Sequence, residues 1–130
     1  MLVGLLALAS SAHADEATDA KVKAAIVETI KMTTEGKLDA WMDKYCDPTR
    51  CRDAAARTEM KEYSLKSAKN FSKACLLEGD TIQVKQRKGE VTDAGGAIWW
   101  LRCEGRAVGV PVKARYDKEK DHVWFLQLGF

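Results

Sequence analysis

The sequence predicts an α+β fold, with N-terminal helices packed on a curved, cone-like sheet of four antiparallel strands in meander order. Three observations carry that expectation. Upstream of Leu77 the apolar residues recur at three and four, the stripe of amphipathic helices, whereas from Ile82 the period changes to two and turn residues separate the runs. The chain has 130 residues, of which 46% are hydrophobic and 31% charged, which suits one domain and leaves no length for a second.

Residues 1–14, MLVGLLALASSAHA, read as a signal peptide: an apolar run from Leu2 to Ala9, small residues, and Ala12-His13-Ala14 as the cleavage site, so that the mature domain spans 15–130. No Lys or Arg precedes Lys21, so the positive end of the signal is either the α-amino group or a start further upstream. The apolar run falls far short of the roughly 20 residues that span a bilayer, which argues against stable membrane insertion. A periplasmic or secreted location follows.

In the mature chain, Val22, Ala25, Ile26, Thr29 and Ile30 trace one helical stripe from Thr18 to about Met32, with Thr18 or Asp19 available as its cap. Gly36 stops that helix. A second begins at once, with Leu38, Trp41, Met42 and Tyr45 at i, i+3, i+4 and i+7. Asp47-Pro48 is expected to break it and to cap the next, since Asp caps well and Pro suits a first helical turn. The longest helix is then Arg50 to Leu77, with Met60, Tyr63, Ser67, Phe71 and Cys75 along one face.

Strand one carries Ile82 and Val84 on one face and continues past Gly89, a candidate bulge or kink, to Val91. Asp93 to Gly96 turns the chain into strand two, Ala97 to Glu104. Gly105-Arg106 leads to strand three, Ala107 to Tyr116, where Pro111 lacks an N–H and argues for an edge or a locally unpaired bond. Asp117 to Asp121 is a charged turn before strand four, His122 to Gly129.

Four cysteines behind an export signal read as two disulfides. Three connectivities are open in principle; Cys46 with Cys51 would staple the junction between two helices, and Cys75 with Cys103 would tie helix to sheet. The C-x4-C spacing followed by two isolated cysteines does not suit a zinc site, and C-x-x-C is absent, so neither a metal nor a redox pair is expected. No cofactor is implied.

The order of two short helices, one long helix and a meander resembles the nuclear transport factor 2-like superfamily, the cystatin-like α+β cone, and in particular its small exported bacterial members of unassigned function. The residues carrying the resemblance are Gly36-Lys37-Leu38-Asp39-Ala40-Trp41, the Gly105-Arg106 hairpin before Val108 to Val112, and His122-Val123-Trp124-Phe125-Leu126-Gln127-Leu128. Enzymes of that superfamily project Asp, Tyr or His into the cone. Here simple alternation turns Trp99, Leu101, Cys103, Val108, Val110, Val112, Trp124, Leu126 and Leu128 inward, with no carboxylate among them, so no catalytic residue is assigned. Asp39, Asp43 and Glu62 on the helices read as solvated charges, because burying a carboxylate unpaired is costly.

The same alternation leaves Ile98, Trp100, Arg102, Lys113, Arg115, Val123, Phe125 and Gln127 on the outer face, too apolar for water alone. Ile98, Trp100, Arg102 and Phe125 are therefore the expected interface, for a second copy or a partner protein, the pairing that the resemblance also implies. An exported, non-enzymatic binding module is the reading the residues favour. The alternatives are a small-molecule cone with a pocket lined by Trp41, Tyr45, Tyr63, Trp99 and Trp124, and an exported enzyme inhibitor acting through the turns at Asp93–Gly96 or Asp117–Asp121. The net charge of +2, with signs alternating along the chain, does not suit nucleic acid.

Overall fold

The structure is a computed structural model. It describes the backbone of residues 2–68, 82–91, 96–103 and 109–128, and the side chains of 16–68, 82–86, 96–103 and 109–128. Three helices, α1 (Leu2–Thr34), α2 (Leu38–Tyr45) and α3 (Ala54–Glu59), precede the sheet, and α3 runs directly into a π-helical turn, Met60–Leu65. The strands are β1 (Ile82–Val91), β2 (Ala97–Cys103), β3 (Val110–Asp117) and β4 (His122–Leu128), all antiparallel and in the order β1-β2-β3-β4. This is the expected α+β arrangement, with a sheet that curls without closing.

The buried stripe of α1 is Val22, Ala25, Ile26, Thr29, Ile30 and Thr33. The helix does not start at a Thr18 or Asp19 cap; it runs unbroken from Leu2, because the upstream Leu and Ala are strong helix formers. Its end is a Schellman motif: Gly36 takes φ +74°, Gly36 N–H donates to Thr33 O, and Lys37 N–H donates to Met32 O. That reversal sets α2 against α1, where Trp41 Nε1 donates to Thr29 Oγ1 (2.8 Å) and Thr29 Oγ1 donates to Ala25 O (2.7 Å). Both polar groups of this buried pair are satisfied.

Asp47 does not cap a helix, contrary to expectation. Its backbone N–H donates to Phe125 O (2.9 Å), and Cys46 forms a parallel bridge with Phe125, so this stretch lies along the outer edge of β4. The Asp47 carboxylate accepts from Thr49 N (2.9 Å), Thr49 Oγ1 (2.8 Å) and Arg115 Nε (3.1 Å). A disulfide between Cys46 and Cys51 closes the turn, with the Cα atoms 6.0 Å apart. The helix restarts only at Ala54, capped by Asp53, whose side chain accepts from Ala56 N. Cys103 is also disulfide-bonded. Cys75 lies outside the described residues, as do Phe71, Leu77, the Asp93–Gly95 part of the predicted turn, Gly105-Arg106 and Val108.

Two irregularities change the predicted faces. Met60 was expected to share its face with Tyr63, but the π turn widens the helix so that Met60 and Leu65, five apart, point inward and Tyr63 is 68% exposed. In β4 the register jumps from Lys113↔Gln127 to Ala114↔Phe125, so Leu126 is an inserted residue, a β-bulge. The alternation therefore slips by one. Val123 and Phe125 join Leu128 on the covered face and are buried, while Trp124 lies opposite Arg115 on the other face and is half-buried. The expected positions of Trp124 and Phe125 are thus exchanged. β1 has a register shift between Gln86 and Val91, where Gly89 suggested a bulge.

Pro111 is not on an edge strand, because β3 lies between β2 and β4. It sits near the start of β3, one residue before Val112, where the described β4 pairing ends, and its missing N–H is accommodated there.

Candidate interaction face

The covered side of the sheet is filled by Ile82, Val84, Trp99, Leu101, Cys103, Val112, Ala114 and Phe125 against the helices. The expected pocket is not assembled from its five residues. Trp41, Tyr45 and Trp99 are buried in this core with their polar tips engaged: Trp41 on Thr29, Tyr45 Oη donating to Glu28, and Trp99 Nε1 donating to Asp19 Oδ1 (2.9 Å). The Trp41 ring stacks on Phe125 with centroids 6.0 Å apart, and Tyr45 meets Phe125 edge-on at 5.7 Å. Tyr63 points outward and Trp124 lies on the open face. Asp39 pairs with Lys61, and Asp43 with Arg57 (2.9 Å), at the surface.

Burial raises the Tyr45 hydroxyl pKa well above its ordinary range, and the hydrogen bond to Glu28 raises it further. Glu28 is held below the ordinary carboxylate value, first by Lys44 Nζ (2.6 Å) and then by Tyr45. His122 stacks on Tyr45 and shares a hydrogen bond with the Lys44 carbonyl (2.5 Å). These groups satisfy one another and lock α1, α2 and the start of β4 together.

The open side is a different surface. Register places Lys85, Trp100 and Pro111 on one rung, Ile98, Lys113 and Gln127 on the next, and Arg115 beside Trp124. Gln83 and Arg102 form a further pair at the β1–β2 end. Of the four expected interface residues, the structure brings Ile98, Trp100 and Arg102 together and removes Phe125 to the core, with Trp124 in its place. Trp100 is half-buried, and Gly109 explains part of this: a Cβ there would lie 3.2 Å from Trp100 Cε3, so the glycine makes room for the indole. Sequence reading missed Gly109 because its partner lies on a neighbouring strand.

The charge on this face is one-sided. Arg115 is drawn to Asp47 at the sheet edge, which leaves Lys85, Arg102 and Lys113 without an ion pair among the described residues. The described rungs around Trp100 carry no carboxylate. Asp117 shares the face but sits at the hairpin end, where its carboxylate accepts from Glu119 and Lys120 N–H. An aromatic ridge among three uncompensated cations is suited to holding an acidic surface with an apolar patch.

The fold and this face define a small α+β domain with an open sheet. No family model, no curated protein and no solved structure matches the chain. Among the described residues, no helix is long and apolar enough to cross a membrane.

Proposed function

We propose that this protein is an exported, non-enzymatic binding module of the nuclear transport factor 2-like kind, and that it engages an acidic partner protein through the open face of its sheet. One observation carries the reading: Trp100 sits among Lys85, Arg102 and Lys113 on rungs with no described carboxylate. Helices leading into a curled, open meander support the affiliation. The disulfide-bonded cysteines support an oxidising compartment, and the apolar start with Ala12-His13-Ala14 supports cleavage there. Edman degradation of the protein recovered from the periplasm or medium should begin at Asp15; a chain retaining Leu2 to Ala9 would contradict export by this signal.

A second copy of the chain is the weaker occupant. A two-fold interface sets a patch against itself, which would here bring Lys85, Arg102 and Lys113 against their own copies, and like charges repel. Light scattering over a concentration series should therefore show a monomer at every concentration. A dimer that Trp100→Asp dissolves would replace the acidic partner with self-association.

A further inference from the structure

The two backbone irregularities of the fold meet. The π turn Met60–Leu65 packs on β4, and a cleft of about 320 Å³ lies between it and the bulge at Leu126. Tyr63, on the π turn, is exposed and stands at the rim of this cleft. Met60 and Leu126 are buried apolar residues of its lining, and Arg50, Glu59, Tyr63, Ser64 and Gln127 supply the polar groups.

Among the charges nearby, Glu62 and Lys66 stand without an ion pair among the described residues, whereas Arg57 is matched with Asp43 and Lys61 with Asp39. Arg50 and Glu59 are not: neither side chain has a hydrogen bond or ion pair among the described residues, and nor do the Tyr63 hydroxyl, the Ser64 hydroxyl or the Gln127 amide. One cation, one anion, a phenol and neutral hydrogen-bonding groups thus converge on an apolar floor, in a volume at the lower end of the small-molecule range.

We infer that this cleft binds a small zwitterion with an apolar side chain, a free amino acid or a dipeptide. Its carboxylate would be taken by the Arg50 guanidinium, which matches a carboxylate with two parallel hydrogen bonds. Its ammonium group would be taken by Glu59, and its side chain would lie on Leu126, Met60 and the Tyr63 ring. The cleft meets the cationic sheet face at Gln127, but the groups that would hold the two charges of the ligand are Arg50 and Glu59, not Lys85, Arg102 or Lys113.

The test is an NMR titration of the whole protein with L-leucyl-L-leucine, with N-acetyl-leucine and leucinamide as ligands that each lack one charge. The dipeptide should shift the backbone amides of Tyr63, Ser64 and Gln127, and the two singly charged ligands should bind at least about tenfold more weakly. Arg50→Gln and Glu59→Gln lie at exposed positions, should leave the spectrum of the core unchanged, and should each weaken dipeptide binding by about tenfold. No dipeptide-dependent shift of those amides would overturn the inference. So would dipeptide binding that survives both substitutions, or binding of N-acetyl-leucine as tight as that of the dipeptide.

Discussion

Phe125→Ala is expected to destabilise the protein by about 3–5 kcal/mol, the usual cost of emptying a fully buried aromatic site. Phe125 has no exposed surface, stacks on Trp41, and meets Tyr45 edge-on. It also lies where the Cys46–Asp47 stretch joins the edge of β4, so the cavity would open at the junction of α2, the disulfide loop and the sheet. Trp124→Ala should cost no more than about 1 kcal/mol, because the ring is half-buried on the open face and leaves no enclosed void. Urea denaturation of the two variants measures both. The comparison is sharp because simple alternation makes the opposite assignment; if Trp124→Ala proved the more damaging, the Leu126 bulge would be misplaced.

Asp47→Ala is expected to cost about 2–3 kcal/mol, since removing one partner strands buried or half-buried groups. Asp47 is 1% exposed, and its carboxylate holds Thr49 N, Thr49 Oγ1 and Arg115 Nε. Asp47→Asn should cost less, because the amide oxygen can still accept from Thr49. The pH dependence separates charge from shape. Burial raises the carboxyl pKa, but Thr49 and Arg115 outweigh it and the net value lies below the ordinary one. The unfolded chain therefore holds this proton more tightly than the folded one. The stabilisation is complete above about pH 3.9, the unfolded aspartate value, and drains away as the pH falls through the folded pKa. Urea midpoints measured between neutral and acid pH should fall less steeply for Asp47→Asn than for the wild type; equal slopes would mean that the charge contributes nothing.

Much of the fold is legible in the residues. The stripe from Val22 to Ile30, the stop at Gly36, the stripe from Leu38 to Tyr45 and the alternation of Ile82 and Val84 each follow from one period applied locally. What escapes is a change of period within an element. The π turn after Met60 turns Tyr63 away from the face that Met60 buries, and the extra residue at Leu126 puts Val123, Trp124 and Phe125 on the faces opposite to those that simple alternation gives them. Both insertions are settled where the helix and β4 pack together, and neither leaves a Gly or Pro to mark it. Asp47-Pro48 misleads differently: locally it has the signature of a helix start, but Arg115, 68 residues away, claims the carboxylate. The open face was readable at Ile98, Trp100 and Arg102, which precede the slip in β4. Its charge was not, because Asp47 neutralises one arginine and leaves the other cations unmatched.

The claim that the open face holds an acidic partner is tested most directly by the indole N–H signals of the four tryptophans. Two are internal reporters, with Trp41 bonded to Thr29 and Trp99 to Asp19 beneath the sheet. Titration with poly-L-glutamate at low salt should move the Trp100 and Trp124 signals and leave those of Trp41 and Trp99 in place. Added salt should reverse the shifts as the charges are screened, and Arg102→Glu with Lys113→Glu should abolish them. Binding that leaves Trp100 unmoved, or that survives the double charge reversal, would contradict the proposed face.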